Sequence, residues 1–172
     1  MNAHTATSNP HGHRTSDLFS TPLELGLRAL FLLAVLPNPV DLQRLVIFDY
    51  LLVHSADAGG PESLHPATPH RSGEILVKRD LLRLGLRLMT SRDLVAADFS
   101  PEGIRYGATD LTQIFVTYFE GAYTDQLLDR ARWVAEMFGA MSDQALSQYV
   151  SVHLREWGGE FLTEAAVRDV IL

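Results

Sequence analysis

The spacing of apolar residues changes once between residues 81 and 112, and this change limits the folds that the chain can adopt. Apolar or small residues first recur three and four positions apart, at Leu81, Leu84, Gly85 and Leu88. They then alternate with other residues, at Val95, Ala97 and Phe99. The first spacing is typical of one face of a helix, and the second is typical of a half-buried strand. We therefore expect a helix that runs directly into a strand.

A turn signal follows this strand, at Ser100, Pro101, Glu102 and Gly103. Pro101 has the φ that the second position of a β-turn requires, and glycine is favoured at the fourth position, so we expect a β-hairpin. An apolar helix, a loop, a basic helix and a hairpin, in that order, are typical of a winged helix. This fold favours glycine where the basic helix ends; the chain has Asp93 there, and aspartate tolerates the left-handed conformation better than most residues.

The predicted secondary structure around that hairpin is mainly helical. A first helix should start at Thr21 and Pro22, a cap and a first helical residue, and run to residue 36. Its expected inward positions are Leu23, Leu27, Leu30, Phe31 and Ala34. The other helices are expected at residues 41–54, 75–91, 110–119, 123–138 and 142–157, with a last short one at 161–171.

The length and composition predict one core. The chain has 172 residues, of which 47% are hydrophobic, and this is enough for a single domain. Residues 1–17 are polar and lack apolar periodicity, so we expect a disordered tail. We expect a winged-helix core with a short β-hairpin wing at residues 18–119, and a C-terminal helical extension that packs on it at residues 120–172.

Charge is distributed unevenly along the chain, whose formal net charge is −7. Residues 71–105 carry seven basic side chains against five acidic ones, whereas residues 106–172 carry four against ten. A basic strip in an acidic protein favours a local contact with nucleic acid or an acidic partner. The chain has no cysteine, no signal-peptide pattern and no apolar run near the roughly 20 residues that span a bilayer. We therefore expect a cytoplasmic protein without membrane contact.

Most of the basic strip falls on the helix before the hairpin. The basic residues on that helix or directly after it are Lys78, Arg79, Arg83, Arg87 and Arg92. Arg79, Arg83 and Arg87 recur every four residues, so they share one helical face, where like charges repel unless water or an anionic surface surrounds them. The row therefore predicts either a contact with a protein partner or DNA, or a solvated face that Asp80 partly neutralises.

Aromatic residues are frequent in the predicted C-terminal helices, and the two largest are Trp133 and Trp157. Packing onto the core is the most common role of such residues. Exposed tryptophans instead mark binding surfaces, because they dominate the energetics of many interfaces. We therefore include Trp133 and Trp157 among the candidate contacts for a partner or DNA.

Asp49 occupies a position at which the apolar stripe of the second predicted helix calls for a hydrophobic residue. A carboxylate there needs a hydrogen bond or a cation. We expect it to bind the backbone of the long loop at residues 55–72, or an arginine such as Arg71, and so to hold that loop. The candidate loop-structuring residues are Asp49, His54, His65, His70 and Arg71.

These loop residues do not form a familiar metal or catalytic motif. Ten residues separate His54 from His65 across a Gly-Gly-Pro segment, whereas zinc signatures place two ligands within a few residues. The chain also lacks a phosphate-binding loop, a nucleophile elbow and a metalloprotease motif. We therefore predict a protein without enzymatic activity, metal or cofactor. A small hydrolase built on Asp49 and the loop histidines is the weakest alternative.

Four segments of the chain resemble one known family. They are TPLELGLRAL (21–30), DLQRLVIFDYLLVHSADAGGPESLHPATPHRSGE (41–74), LMTSRDLV (88–95) and RARWV (130–134). The family is the second type of middle component of bacterial ABC-three-component systems, which are conflict or antiviral-defence modules. The resemblance implies an adaptor between a Rad50- or SMC-like ABC ATPase and an effector, with DNA contacted through the complex if at all. A winged-helix DNA-binding regulator or DNA-sensing module is the alternative.

Overall fold

The computed structural model of the protein describes residues 21–66 and 72–153, with only the backbone described at 72–77. The expected tail, His70, Arg71, Trp157 and the last predicted helix lie outside the described residues. The described part of the chain is mainly helical and contains a small antiparallel sheet. This confirms the predicted mainly α fold with a β-hairpin.

Two helices with side-chain caps open the described part of the chain. α1 spans Pro22–Val35, and α2 spans Leu42–Val53. The hydroxyl of Thr21 and the carboxylate of Asp41 each accept a hydrogen bond from the backbone amide three residues further on. Such caps satisfy amides that the first turn of a helix leaves without a backbone partner. The bounds of both predicted helices are confirmed to within one residue.

The predicted helix followed by a hairpin is also confirmed. α3 spans Ser72–Thr90, so it begins three residues before the predicted start, and it leads into β2 (Val95–Ser100) and β3 (Gly103–Ala108). Asp93 has a φ of 58° in the turn between α3 and β2. The chain therefore takes the left-handed conformation where the sequence pattern required it, with an aspartate in place of a glycine.

A two-residue strand that the sequence did not reveal completes the sheet. β1 spans Val40–Asp41 and pairs antiparallel with β3, with Val40 opposite Tyr106. The strand order is β1-β3-β2. Two residues are too short for any periodicity, and this strand exists only because β3 supplies its hydrogen bonds. The segment between α1 and α2 is thereby fixed to the hairpin.

α1 lies at the centre of the packing, and α2, α3, α4 and α5 all contact it. Its buried apolar residues are Leu25, Ala29, Leu30, Phe31, Leu32 and Leu33. Leu23 is 53% exposed, so its predicted inward position is wrong, whereas Leu30 and Phe31 are buried as predicted. The prediction assumed a single apolar stripe on a surface helix. Neighbours surround most of α1, but they leave Leu23 in its first turn exposed.

The crossing of α1 and α3 depends on two glycines that face each other. A Cβ atom placed on Gly85 would lie 2.7 Å from the backbone nitrogen of Gly26, and it would also overlap the carbonyl oxygen of Pro22. A Cβ atom on Gly26 would lie 2.8 Å from the side chain of Met89. The two backbones are therefore closer than side chains at these positions would allow.

In the described part of the chain, three further helices follow the hairpin. α4 spans Asp110–Val116, α5 spans Ala122–Phe138 and α6 spans Asp143–His153, where the described residues end. α4 is three residues shorter than predicted, and α5 begins one residue earlier. α5 packs against both α1 and α2. The expected boundary between core and extension after residue 119 stays a prediction.

Arg44 of α2 ties the end of α5 to the start of α6. Its guanidinium donates to the carbonyl oxygens of Phe138 and Met141 and forms an ion pair with Asp143 at 2.6 Å. The carbonyl groups at the end of a helix carry partial negative charge, which a guanidinium group stabilises. One side chain of α2 thus holds the connection between two later helices.

Candidate docking surface

The exposed face of α3 carries arginines and leucines together. Leu82, Gly85, Leu86 and Met89 of α3 are buried. Leu84 and Leu88 are 44% and 37% exposed on the opposite side, beside the exposed residues Arg83 and Arg87. A row made of arginines alone would favour contact with water or with phosphate groups. Leucines one turn apart within the same face instead favour a surface that packs against protein.

The structure separates the members of the predicted basic row. Arg83, Arg87 and Arg92 are exposed, whereas Lys78 and Arg79 are half-buried. Arg83 forms an ion pair with Asp80 at 3.1 Å, as the solvated alternative predicted for part of the row. The five residues therefore do not form one exposed strip. Lys78 and Arg79, at the start of the row, lie on a partly buried side of α3.

The hairpin presents an apolar face that extends beyond the core. Cross-strand pairing places Ala97 opposite Tyr106, and Phe99 opposite Ile104. Tyr106 is buried, but Phe99 and Ile104 near the turn are 75% and 39% exposed. Residues two positions apart on a strand share a face. The tip of the hairpin therefore continues the buried apolar face out into solvent.

The exposed parts of α3 and the hairpin belong to consecutive elements, which contact each other through α3 and β2. Burial raises the pKa of Tyr106, and the positive charges of Arg83 and Arg87 act in the opposite direction. We call the combined surface the α3-hairpin face. It consists of Arg83, Leu84, Arg87, Leu88, Phe99 and Ile104.

A second exposed apolar surface begins on α4. Leu111, Ile114 and Tyr118 follow helical spacing, and Tyr118 is 77% exposed. The opposite side holds Phe115 and Phe119, whose rings contact each other, and the Phe119 ring also contacts Phe31. We call Leu111, Ile114 and Tyr118 the α4 stripe. The prediction from sequence missed it, although the spacing of three and four residues was a usable signal.

Trp133 is used for packing inside the molecule. Its indole ring occupies the space where a side chain on Gly60 would lie, and it meets the ring of Phe138 edge to face at 5.5 Å. Trp133 thus holds the loop after α2 against α5. Trp133 is therefore not part of either exposed surface. Trp157 lies outside the described residues.

Asp49 binds an arginine, Arg28 of α1, which the sequence did not identify. Its two carboxylate oxygens each accept a hydrogen bond of 2.7 Å from Arg28 of α1, and both residues are buried. Burial lowers the pKa of Arg28, but the charges and hydrogen bonds of Asp49, with the charge of Glu24, outweigh this and raise it. Asp49 therefore joins α2 to α1, and its expected role in holding the loop stays a prediction, because Arg71 lies outside the described residues. Arg28 could not be chosen from sequence because the contact spans 21 residues.

The described part of the loop folds onto the end of α2. A short 3-10 helix spans Ser55–Ala58, and the backbone amides of Leu64 and His65 both donate to the carbonyl oxygen of Val53. His54 is buried, and its backbone amide caps the last turn of α2. The predicted packing of the loop is therefore present as far as residue 66.

His65 connects this loop to the start of α5. Its Nε2 atom lies 3.2 Å from the Tyr123 hydroxyl. Burial lowers the pKa of His65, and the nearby positive charge of Arg28 adds to this effect. Among the residues that the structure describes, no group of three or more histidines and acids is placed to hold a metal ion. Both oxygens of Asp49 are already engaged by Arg28, so its carboxylate is not presented to a substrate.

Comparison with known proteins identifies the family. The family model described as ABC-three component (ABC-3C) system Middle Component 2 matches residues 18–160, which is most of the chain. No curated protein and no solved structure matches the chain. Among the helices of the described ranges, none combines the length and apolar character that a membrane span needs. The chain belongs to the Middle Component 2 family of ABC-three component systems.

Proposed function

We propose that this chain is a non-enzymatic adaptor that links a Rad50- or SMC-like ABC ATPase to an effector in a cytoplasmic antiviral-defence system. The observation that carries the proposal is the presence of two exposed apolar surfaces on different elements, the α3-hairpin face and the α4 stripe. Exposed apolar patches of this kind mark sites of protein contact. An adaptor needs at least two such sites, because it must hold two partners at once.

We interpret the core as a winged helix. In support, the elements follow the order α1, β1, α2, α3, β2, β3, and the sheet has the order β1-β3-β2. The left-handed Asp93 between α3 and β2 agrees with the same interpretation. Folds of this kind serve many functions, so the adaptor role rests on the exposed surfaces and on the family.

A DNA-binding module is the second candidate, and the exposed Arg83 and Arg87 on α3 favour it. Phosphate contacts would make binding weaken steeply with salt. Replacing Arg79, Arg83 and Arg87 with glutamine should then reduce the salt slope by about one unit for each arginine that binds a phosphate. The adaptor proposal predicts instead that the isolated chain, with its net charge of −7, binds duplex DNA negligibly at physiological salt.

Copurification tests the adaptor proposal. When the ABC ATPase and effector of the same system are coexpressed with and without this chain, a tag on the ATPase should recover the effector only when the chain is present. Ile114→Asp with Tyr118→Asp in the α4 stripe should release one partner and keep the other, because each surface serves one contact.

Val152→Asp is the matched control, because Val152 is an exposed apolar residue on α6 outside both surfaces. It should leave the complex intact. Recovery of the effector without this chain would refute the adaptor role. Tight duplex binding by the isolated chain that the triple arginine variant abolishes, with no partner recovered, would favour the DNA-binding module.

A further inference from the structure

We propose that the outer edge of β2 binds an extended segment of a partner protein in which basic and apolar residues alternate. The segment would pair with β2 through backbone hydrogen bonds and add a fourth strand to the sheet. This inference rests on the proposed adaptor function, since it gives the chemistry of one contact with a protein partner. Its support comes from the open backbone of β2, the regular pairing of this strand and the side chains along it.

The backbone of β2 is open on one side. β2 stands at one end of the strand order β1-β3-β2, so β3 covers only one of its two edges. In an antiparallel pair, alternate residues direct their amide and carbonyl groups away from the partner strand. Among the described residues, no backbone group outside the hairpin bonds to these groups. They are available to an added strand, which is the mode of recognition known as β-augmentation.

β2 also lacks most of the features that protect a sheet edge from pairing. Protected edges are short, or they carry lysine, proline or a bulge. β1, at the other end of the sheet, has two residues and is a short edge of this kind. β2 has six residues without lysine or proline, and its register with β3 is continuous from the Val95–Ala108 pair to the Ser100–Gly103 pair. The edge of β2 is therefore regular and long enough to hold a partner strand.

One face of β2 favours apolar residues in the added strand. Ala97 and Phe99 lie on the apolar face of the hairpin, and Phe99 is 75% exposed. The side chains of an added strand alternate between the two faces of the sheet, as those of β2 do. Every second residue of the segment would therefore lie on the same face as Phe99. Apolar residues at these positions would remove part of the exposed ring from water.

The other face of β2 favours basic residues in the added strand. Asp98 is exposed on this face and is the one charged residue of β2, and the exposed Glu102 in the turn adds a second negative charge. Arg105 is opposite Asp98 on β3, but no ion pair joins the two. A lysine or arginine beside Asp98 would form the opposite-charge pair that stabilises neighbouring strands. A second copy of β2 would instead bring another Asp98 and another Glu102, so like charges disfavour it.

Synthetic peptides of the same length as β2 test the backbone pairing. The purified full-length chain is titrated with a labelled peptide of alternating lysine and valine, and fluorescence anisotropy reports binding. Methylating every second backbone nitrogen of the peptide removes the donors of one edge and leaves those of the other. One of the two methylated isomers should bind about tenfold or more weakly, because it loses several hydrogen bonds. The other isomer should bind like the parent peptide, since a strand pairs with β2 through one edge.

A charge reversal with a matched control tests the side-chain preference. Asp98→Lys should prefer a peptide of alternating glutamate and valine, whereas the normal chain should prefer the lysine peptide. Glu120→Lys changes an exposed acid between α4 and α5, outside the sheet, and should keep the preference of the normal chain. Amide hydrogen exchange in residues 95–100 should slow when the lysine peptide binds, and exchange in α6 should not change. Circular dichroism checks that both variants fold.

The outcomes separate the inference from the adaptor proposal. In the coexpressed complex, Asp98→Lys should release one partner. If this variant keeps both partners and the lysine peptide does not bind the normal chain, the inference is wrong and the adaptor proposal stands. Equal binding of both methylated isomers would also refute backbone pairing. Slow exchange in residues 95–100 without peptide that becomes faster on dilution would overturn the occupant in favour of a second copy. If the normal chain recovers neither ATPase nor effector, the adaptor proposal fails, whatever the peptides do.

Discussion

Arg28 and Asp49 form an ion pair whose two charges depend on each other, because both side chains are buried. The pair is bidentate, and Glu24 accepts a third hydrogen bond from Arg28 at 3.0 Å. Breaking a buried pair by removing one partner costs about 3–5 kcal/mol, although apolar residues in both positions are often tolerated. The pair therefore makes the arrangement of α1 on α2 sensitive to single substitutions.

We expect Asp49→Ala to lower the free energy of unfolding by about 3–5 kcal/mol, because Arg28 would keep its charge without its main partner. Urea unfolding followed by circular dichroism measures this change. The double variant Arg28→Met with Asp49→Leu should be more stable than Asp49→Ala, since it leaves no charge buried. Full stability of Asp49→Ala, together with loss of a measured hydrolytic activity, would restore the hydrolase alternative.

The crossing of α1 and α3 is the element contact that most directly positions the α3-hairpin face. Glycine costs a helix about 1 kcal/mol relative to alanine, so Gly85 in the middle of α3 weakens that helix locally. The close backbone approach to Gly26 and Pro22 offsets this cost. α3 accordingly presents Leu84 and Leu88 on one side while its backbone lies directly against α1 on the other.

We expect Gly85→Ala to destabilise the protein by about 1–3 kcal/mol despite its higher helix propensity, because the added methyl group would overlap the backbone of α1. Thermal and urea unfolding measure the destabilisation. Leu88→Ala on the exposed side of the same helix is the control and should change stability much less. A more stable Gly85→Ala variant would show that the two helices are not in close contact.

Signals from neighbouring residues predicted most of the helices and strands. The features that were not predicted have a physical explanation. Thr21 and Asp41 cap helices through their own side chains, so their effect is visible within a few residues. β1 could not be predicted, because its hydrogen bonds come from β3 more than 60 residues away. Leu23 was assigned to the wrong side, because sequence spacing does not show that the first turn of α1 is left exposed by its neighbours.

Across the molecule, α2 holds the later helices in place through Arg44. Its guanidinium contacts the end of α5 and Asp143 at the start of α6, and it also lies 5.4 Å from the centre of the Phe48 ring. Trp133 against Gly60 provides a second attachment between the loop after α2 and α5. Arg44 and Trp133 therefore add specific attachments to the apolar packing that already joins α5 and α6 to the core.

We expect Arg44→Met to lower the free energy of unfolding by about 1–3 kcal/mol, because carbonyl groups at the end of α5 would no longer have a charged donor. Amide hydrogen exchange should accelerate in α6 more than in α3. The control Arg132→Met, at an exposed ion pair on α5, should leave exchange in α6 unchanged. Equal acceleration in α3 and α6 would mean that Arg44 supports the whole molecule and not one connection.

Neighbouring residues alone specify three features of the fold. These are the helix starts, the change from helical to alternating spacing, and the hairpin turn. Three other features required the folded chain: the binding of Arg28 to Asp49, the burial of Arg79 relative to Arg87, and the extension of the hairpin tip beyond the core. These outcomes depend on which distant elements meet, and residues far apart in sequence contribute to each of them. The two exposed surfaces therefore arise from packing, whereas the elements that carry them are already present in the local pattern.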